Sequence, residues 1–240
     1  MAGNRKTAAG AGHSVRPKAT HRKQRSTEKA RTRLEPVQDR SRKLNEAILS
    51  TAATLLETVN IDDLSHSDIA EIAGMSKAAV YYHYPTVAAI QLALGRKYDT
   101  EVSEYMVERR PGWPCSNWQE FVKAGVWVAR DWFNAHRPAC ETLLGPLLAR
   151  ENKLAGFEYN TKIGATLLEG LRQRFVMPEH ADLEEIASYN GEIIDLFWSR
   201  SYIRQGTIDD HANEEAIRAS MGYLKAYIPE VLPKRPPADD

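Results

Sequence analysis

Residues 65–90, SHSDIAEIAGMSKAAVYYHYPTVAAI, read as two short helices joined by a glycine turn, the second ending in a block of aromatics. Ser65 and Asp68 form an S-x-x-D start signal, so the spacing predicts a helix from about His66 that buries Ile69, Ala70, Ile72 and Ala73. Gly74 ends it, Met75 turns inward, and Ser76 caps a second helix centred on Ala79, Val80 and Tyr81. Pro85 forbids continuation of that helix, and Thr86 starts another. Two helices joined by so short a turn form the unit that lays its second helix in a groove of DNA.

Within this stretch, IAEIAGMSKAAVYYHYPTVAAI resembles the DNA-binding motif of the TetR family of bacterial transcriptional repressors, I-A-x-x-A-G-V-S-x-G-T-L-Y-x-Y-F-x-S-K-E-x-L. Ile69, Ala70, Ala73, Gly74, Ser76, Tyr81 and Ile90 fall on its strongest positions, and the resemblance covers residues 40–92. The chain also departs from the pattern. Asn60 stands where the family has a glycine after helix 1, a mild change if Asn takes up the left-handed conformation there. Ala78 and Ala79 replace a Gly-Thr pair, and Val87 replaces a lysine that grips a phosphate. The resemblance implies an all-α protein with an N-terminal three-helix DNA-binding domain containing a helix-turn-helix, followed by a C-terminal helical ligand-binding and dimerisation domain. It further implies a homodimeric repressor on a double-stranded palindromic operator, released by a small-molecule inducer.

Composition sets the frame for the rest. At 240 residues, 42% hydrophobic and 27% charged, the chain suits one large or two small soluble domains. No run approaches the roughly 18 apolar residues of a membrane span, and no apolar segment follows the basic N-terminus, so a cytoplasmic protein without a membrane partner is expected. Cys115 and Cys140 lack metal-ligand or redox spacing and read as ordinary thiols, with no metal and no cofactor indicated. The net charge of zero conceals an asymmetry. Residues 1–36 hold ten Lys/Arg against two Glu, a net +8, and almost no large apolar side chain. They read as a disordered basic arm, either a solvated tail or an arm that lies along DNA to supply the charge the recognition helix lacks.

The remaining chain divides into a helix-turn-helix domain, residues 37–85, a helical ligand-binding and dimerisation domain, residues 86–228, and a frayed Pro-rich tail, residues 229–240. Helix 1 is expected over 39–58 with Leu44, Ile48, Ala52, Leu55 and Val59 inward, and helix 4 from Thr86 to about Arg110. Helix 5 begins at Asn117, helix 6 spans 139–150 with a kink at Gly145-Pro146, and helix 7 spans 154–175. Helix 8 runs over 182–205 and helix 9 over 210–227. The last two carry more apolar and small surface than a monomer needs, with Gly191, Ile194, Ser199 and Ser201 beside Ala216, Ala219, Met221, Gly222 and Leu224. This face reads either as a two-fold interface, which the resemblance implies, or as internal core.

Candidate DNA contacts are Arg40 on helix 1, Ser65 and Ser67 at the front of the motif, and Lys77, Ala78, Ala79, Tyr81, Tyr82 and His83 on the recognition helix. Lys77 suits a guanine edge or phosphate, the alanine methyls a thymine methyl, and Tyr82 and His83 phosphate oxygens. Tyr81 either reads DNA or packs on helix 1. For the ligand, Trp127, Trp132, Phe157, Tyr159 and Trp198 are candidate walls, with Asn160, Glu192, Asp195 or Arg130 for polar orientation, although core packing also accounts for such aromatics. The aromatic content favours a flat aromatic, steroid-like or acyl ligand. An enzyme is disfavoured: no nucleophile elbow, Gly-rich phosphate loop or HExxH is present, and helix 8 has carboxylates without the histidines a di-iron site needs. The alternative to an operator-specific repressor is a protein that coats DNA through the basic arm without sequence choice.

Overall fold

A computed structural model describes residues 39–236, so the basic arm and the last four residues of the Pro-rich tail lie outside the described residues. Backbone contacts divide the chain at Asn45/Glu46 into two units. The described part of the first is the start of α1 (residues 39–55), where Arg42 pairs with Asp39 at 3.2 Å. Everything that follows concerns the second.

There α1 continues and buries Ile48 and Ala52, with Leu56 buried just past its end. It is followed by α2 (His66–Ile72), α3 (Lys77–His83) and α4 (Val87–Arg109). Local chemistry sets these bounds. Side-chain oxygens of Ser65, Ser76 and Thr86 accept from the backbone N–H three residues on, closing the first turns of α2, α3 and α4. Gly74 sits at φ +63°, a left-handed conformation that lets the chain reverse between α2 and α3 and that other residues adopt only with backbone strain. Ile61, Leu64, Ile69, Val80 and Ile90 then join the α1 stripe in a core that continues without a break into the helices that follow.

Two expectations fail here. Ile72 is 58% exposed, because a seven-residue helix has one inward face and Ile69 and Ala70 occupy it. Asn60 takes the extended conformation at φ −81°, not the left-handed one, so the absence of glycine is accommodated by a different turn.

The larger body comprises α4, α5 (Trp118–Ala135), α6 (Arg137–Leu143), α7 (Arg150–Arg174), α8 (Leu183–Gln205) and α9 (Asp210–Leu224). Asn117 and Asp209 cap α5 and α9, and Gly206 at φ +76° ends α8. Helices α7 and α8 pack most intimately. A Cβ on Gly164 would lie 2.7 Å from the Ala187 backbone, so this approach requires a glycine. Helix α6 is shorter than expected and α7 begins earlier. The segment between them is held open by Gln91, which is almost fully buried. Its amide nitrogen donates to the Thr142 and Pro146 carbonyls, at 3.3 and 3.0 Å, and its oxygen accepts from Leu148 N–H at 3.1 Å. A kinked helix would leave these groups unpaired.

The start of the Pro-rich tail is also not frayed. Trp118 and Gln119 side chains donate to the Pro229 and Glu230 carbonyls, and Lys234 forms an isolated antiparallel bridge with Phe175. Prolines cannot donate, but their carbonyls accept, and Val176 N–H uses that of Pro233 at 2.8 Å. No helix among the described residues is long and apolar enough to cross a membrane.

Candidate functional site

The α2–α3 unit is fixed from within by His66. Its buried ring stacks on Tyr81 at 4.1 Å and 9°, and its Nε2 donates to the Tyr84 carbonyl at 2.7 Å. Because a carbonyl only accepts, Nε2 carries the proton. One side chain therefore ties the first turn of α2 to both the middle and the end of α3. Tyr81 packs on α2 through this stack and leaves 46% of its surface exposed.

The outer side of α3 presents Lys77, Ala78 and Tyr82 to solvent, with Ala79 and His83 half-buried beside them. The Lys77 ammonium lies 5.8 Å from the Tyr81 ring, and Tyr82 is 84% exposed with only the edge of His83 against it. A tyrosine this exposed gains nothing from the protein's own core. Ser67 is exposed, as is Arg40 in the first unit. Ser65 is committed: its hydroxyl accepts from Asp68 N–H at 3.2 Å and donates to the Asp68 carboxylate at 2.6 Å. Val87 packs against the core and offers no charge.

A cavity of about 100 Å³ opens inside the larger body. Val102, Met106, Val126, Phe133, Ile163 and Trp198 supply much of its apolar wall; Asp99, Tyr159, Asn160, Asn190 and Asp195 supply the polar part. Tyr159 and Trp198 thus border it, but three of the expected wall residues do not. Trp132 is buried against His136 and Phe133, Trp127 lies near the Arg130 guanidinium, and Phe157 sits under the Lys153 ammonium. Arg130 is occupied by Asp131 and Asp210 and by the Ile208 carbonyl. Asp99, absent from the sequence-derived candidates, is 3% exposed. The available signal was a carboxylate one residue after Tyr98 in the inward stripe of α4.

Burial raises the Asp99 carboxyl above its ordinary range, opposed by Lys162, whose ammonium lies 3.5 Å away. Burial also pushes the Asp195 carboxyl up to about 6, against the pull of a 2.8 Å hydrogen bond from the Asn160 amide and of Lys153.

A polar network, buried at Glu141 and partly exposed at Arg137, joins this body to the end of α1. Arg137 of α6 donates to the Leu56 and Val59 carbonyls and to Asn60 Oδ1. Glu141, one turn on, accepts from Ile61 N–H at 2.8 Å and from the Tyr202 hydroxyl of α8 at 2.6 Å, and pairs with Arg137 at 3.2 Å. Leu143 and Leu144, at the far end of α6, border the cavity. A short rigid helix therefore touches the cavity at one end and holds the backbone after α1 at the other.

Comparison with known proteins agrees with this geometry. Residues 48–94 match the family model for bacterial regulatory proteins of the tetR family. No curated protein matches the chain. Among solved structures, a TetR-family transcriptional regulator from Streptomyces coelicolor superposes with a TM-score of 0.59 at 18% identity, covering 77% of this chain and 99% of its own. Thermus thermophilus FadR, a TetR-family transcriptional repressor in complex with lauroyl-CoA, gives 0.58 at 18% identity, covering 82% and 99%. A TetR transcriptional regulator from Rhodococcus sp. RHA1 gives 0.58 at 12% identity, covering 78% and 97%. The helix-turn-helix segment is of the tetR family, and the chain carries the all-α fold of TetR-family transcriptional regulators.

Proposed function

We propose that this protein is a ligand-responsive repressor that binds a palindromic operator as a homodimer through α3 and releases it when a small molecule occupies the cavity. The observation that carries the reading is the outer side of α3, where Lys77, Ala78 and Tyr82 face solvent on a helix pinned by His66 and by the fully buried Val80. A helix held that firmly, with its reactive side chains pointing away from the core, is built to meet something outside. Lys77 supplies a phosphate or guanine contact, and the Tyr82 hydroxyl a phosphate contact.

Exposure along α8 supports a dimer face different from the one the apolar pattern suggests. Ile194 borders the cavity, a Cβ on Gly191 would meet Asn160 of α7, and Ala216 and Leu224 are in the protomer's own core. Tyr189, Leu196 and Ile203, spaced by seven residues, are instead exposed along one side, as a helix paired with a two-fold copy requires. Ligand response follows if an occupied cavity shifts α6, because Arg137 and Glu141 would carry that shift to residues 56–61. The shift favours a state whose two recognition helices no longer match the ~34 Å spacing of successive major grooves. The lauroyl-CoA complex of the Thermus thermophilus repressor supports a small molecule as effector in this fold.

The test is to capture genomic fragments on the purified protein, sequence them, and measure each by gel shift. Recovery of a shared inverted repeat supports the reading. Recovery of random fragments supports instead a DNA-coating protein acting through the arm, residues 1–36.

A further inference from the structure

The polar wall of the cavity is rich in acceptors and has no cation of its own. Asp99, Tyr159 and Asn190 are each more than nine-tenths buried, and Asp99 Oδ1, the Tyr159 hydroxyl and Asn190 Oδ1 have no hydrogen-bond partner among the described residues. No Lys, Arg or His borders the cavity, whereas two carboxyls, Asp99 and Asp195, do. The nearest cations, Arg96 beside the Tyr159 hydroxyl together with Lys162 and Lys153, do not line it. Lys162 reaches only the other Asp99 oxygen, at 3.5 Å, with its side chain 65% exposed, and Lys153 borders the neighbouring, more polar cavity. That second space, about 120 Å³, shares Tyr159, Asn160 and Asp195 with the first, so these groups form the partition between them. Buried acceptors left without donors are costly, and an acid-lined site rejects an anion by unpaired like charge.

Resting on the ligand-responsive reading above, we infer that the effector is a compact protonated amine, a primary or secondary ammonium on an apolar body, whose N–H groups face Asp99, Tyr159, Asn190 and Asp195. The apolar body lies against Val126, Phe133, Ile163 and Trp198. The ammonium supplies donors to Asp99 Oδ1 and Asn190 Oδ1, and its single positive charge opposes the negative charge of the two carboxyls. Burial holds both carboxyls above their ordinary range despite Lys162, Asn160 and Lys153, so a cation brought into the cavity meets groups whose negative charge is incompletely stabilised. An acyl chain ending in a carboxylate or phosphate would meet like charge. The ammonium narrows the ligand suggested by aromatic content alone, and its apolar body can still be a flat aromatic ring.

The experiment is calorimetric titration of the full-length protein at pH 7.5 with three probes sharing one body: 2-phenylethylammonium, 2-phenylethanol and phenylacetate. The ammonium is expected to bind at least about tenfold tighter than the alcohol, and phenylacetate more weakly than either. Asp195→Asn keeps an acceptor for Asn160 and should reduce ammonium affinity about tenfold while leaving the alcohol within about twofold. Asp99→Asn should do the same, and Asp195→Asn suffices if the former does not fold. Phenylacetate binding as tightly as the ammonium, no ammonium binding, or variants that leave its affinity unchanged would each overturn the assignment. Gel shifts on captured DNA are scored separately. Ammonium binding without DNA binding removes the repressor reading and keeps the ligand class, and the reverse pattern removes only the ligand class.

Discussion

Asp195→Asn should make the protein more stable at neutral pH. The wild-type carboxyl titrates near 6 in the fold, against an ordinary value of 3.8, because burial penalises its charge, and Glu192 adds to the penalty. Asn160 and Lys153 oppose that penalty without cancelling it. The gap is roughly two pKa units, each worth about 1.4 kcal/mol, so an ionised Asp195 costs the fold at most about 3 kcal/mol at pH 7. The side chain borders the cavity and is not sealed from it, which lowers the expectation to about 1–3 kcal/mol. Because the native state binds the proton more readily than the unfolded one, wild-type stability from this group rises as pH falls from about 6 towards 3.8. The asparagine variant lacks that dependence. Urea unfolding of both proteins at pH 7.5 and pH 5, at one fixed concentration to hold any association constant, gives the comparison. The variant should exceed the wild type at pH 7.5, with the difference shrinking at pH 5. A variant less stable at pH 7.5, or a difference independent of pH, would refute the claim that this carboxylate is held at a cost.

Lys77→Ala or Tyr82→Ala should each weaken operator binding by about 1–3 kcal/mol without altering the circular dichroism or self-association, since neither side chain supports the core; unchanged gel-shift midpoints would remove α3 from DNA reading. Leu196→Glu should yield monomers by sedimentation velocity and abolish operator binding with them, whereas Ile194→Glu should disturb ligand binding first. A Leu196→Glu protein that stays dimeric at micromolar concentration places the interface elsewhere. Deleting residues 1–36 should shrink the slope of log K against log salt by about 0.9 for each phosphate the arm neutralises, measured by anisotropy. Equal slopes make the arm a passive tail.

What the sequence made legible was local. The caps Ser65, Ser76 and Thr86, the turn at Gly74 and the stop at Pro85 act within a few residues of themselves, and their spacing carries both the helix-turn-helix and the exposed residues of α3. The cavity was much less legible. Trp132 and Trp198 have the same composition signal, and which one borders empty space depends on how far apart neighbouring helices stand, a distance no helical period encodes. The short α6 has the same origin: Gly145-Pro146 permits either a kink or an end, and the choice is made by Gln91, more than fifty residues upstream. On α8, apolar residues occur on several sides, so periodicity could not say whether Ile194 or Leu196 faces outward. Asp99 went unread although its position gave a signal, a carboxylate one residue after Tyr98 in the inward stripe of α4.

The most direct test of the central claim is fluorescence anisotropy of the full-length protein on a captured inverted-repeat duplex and on its scrambled counterpart at one physiological salt concentration. Operator recognition through paired α3 helices predicts that the inverted repeat binds at least about a thousandfold tighter. Equal affinities for the two duplexes would contradict it.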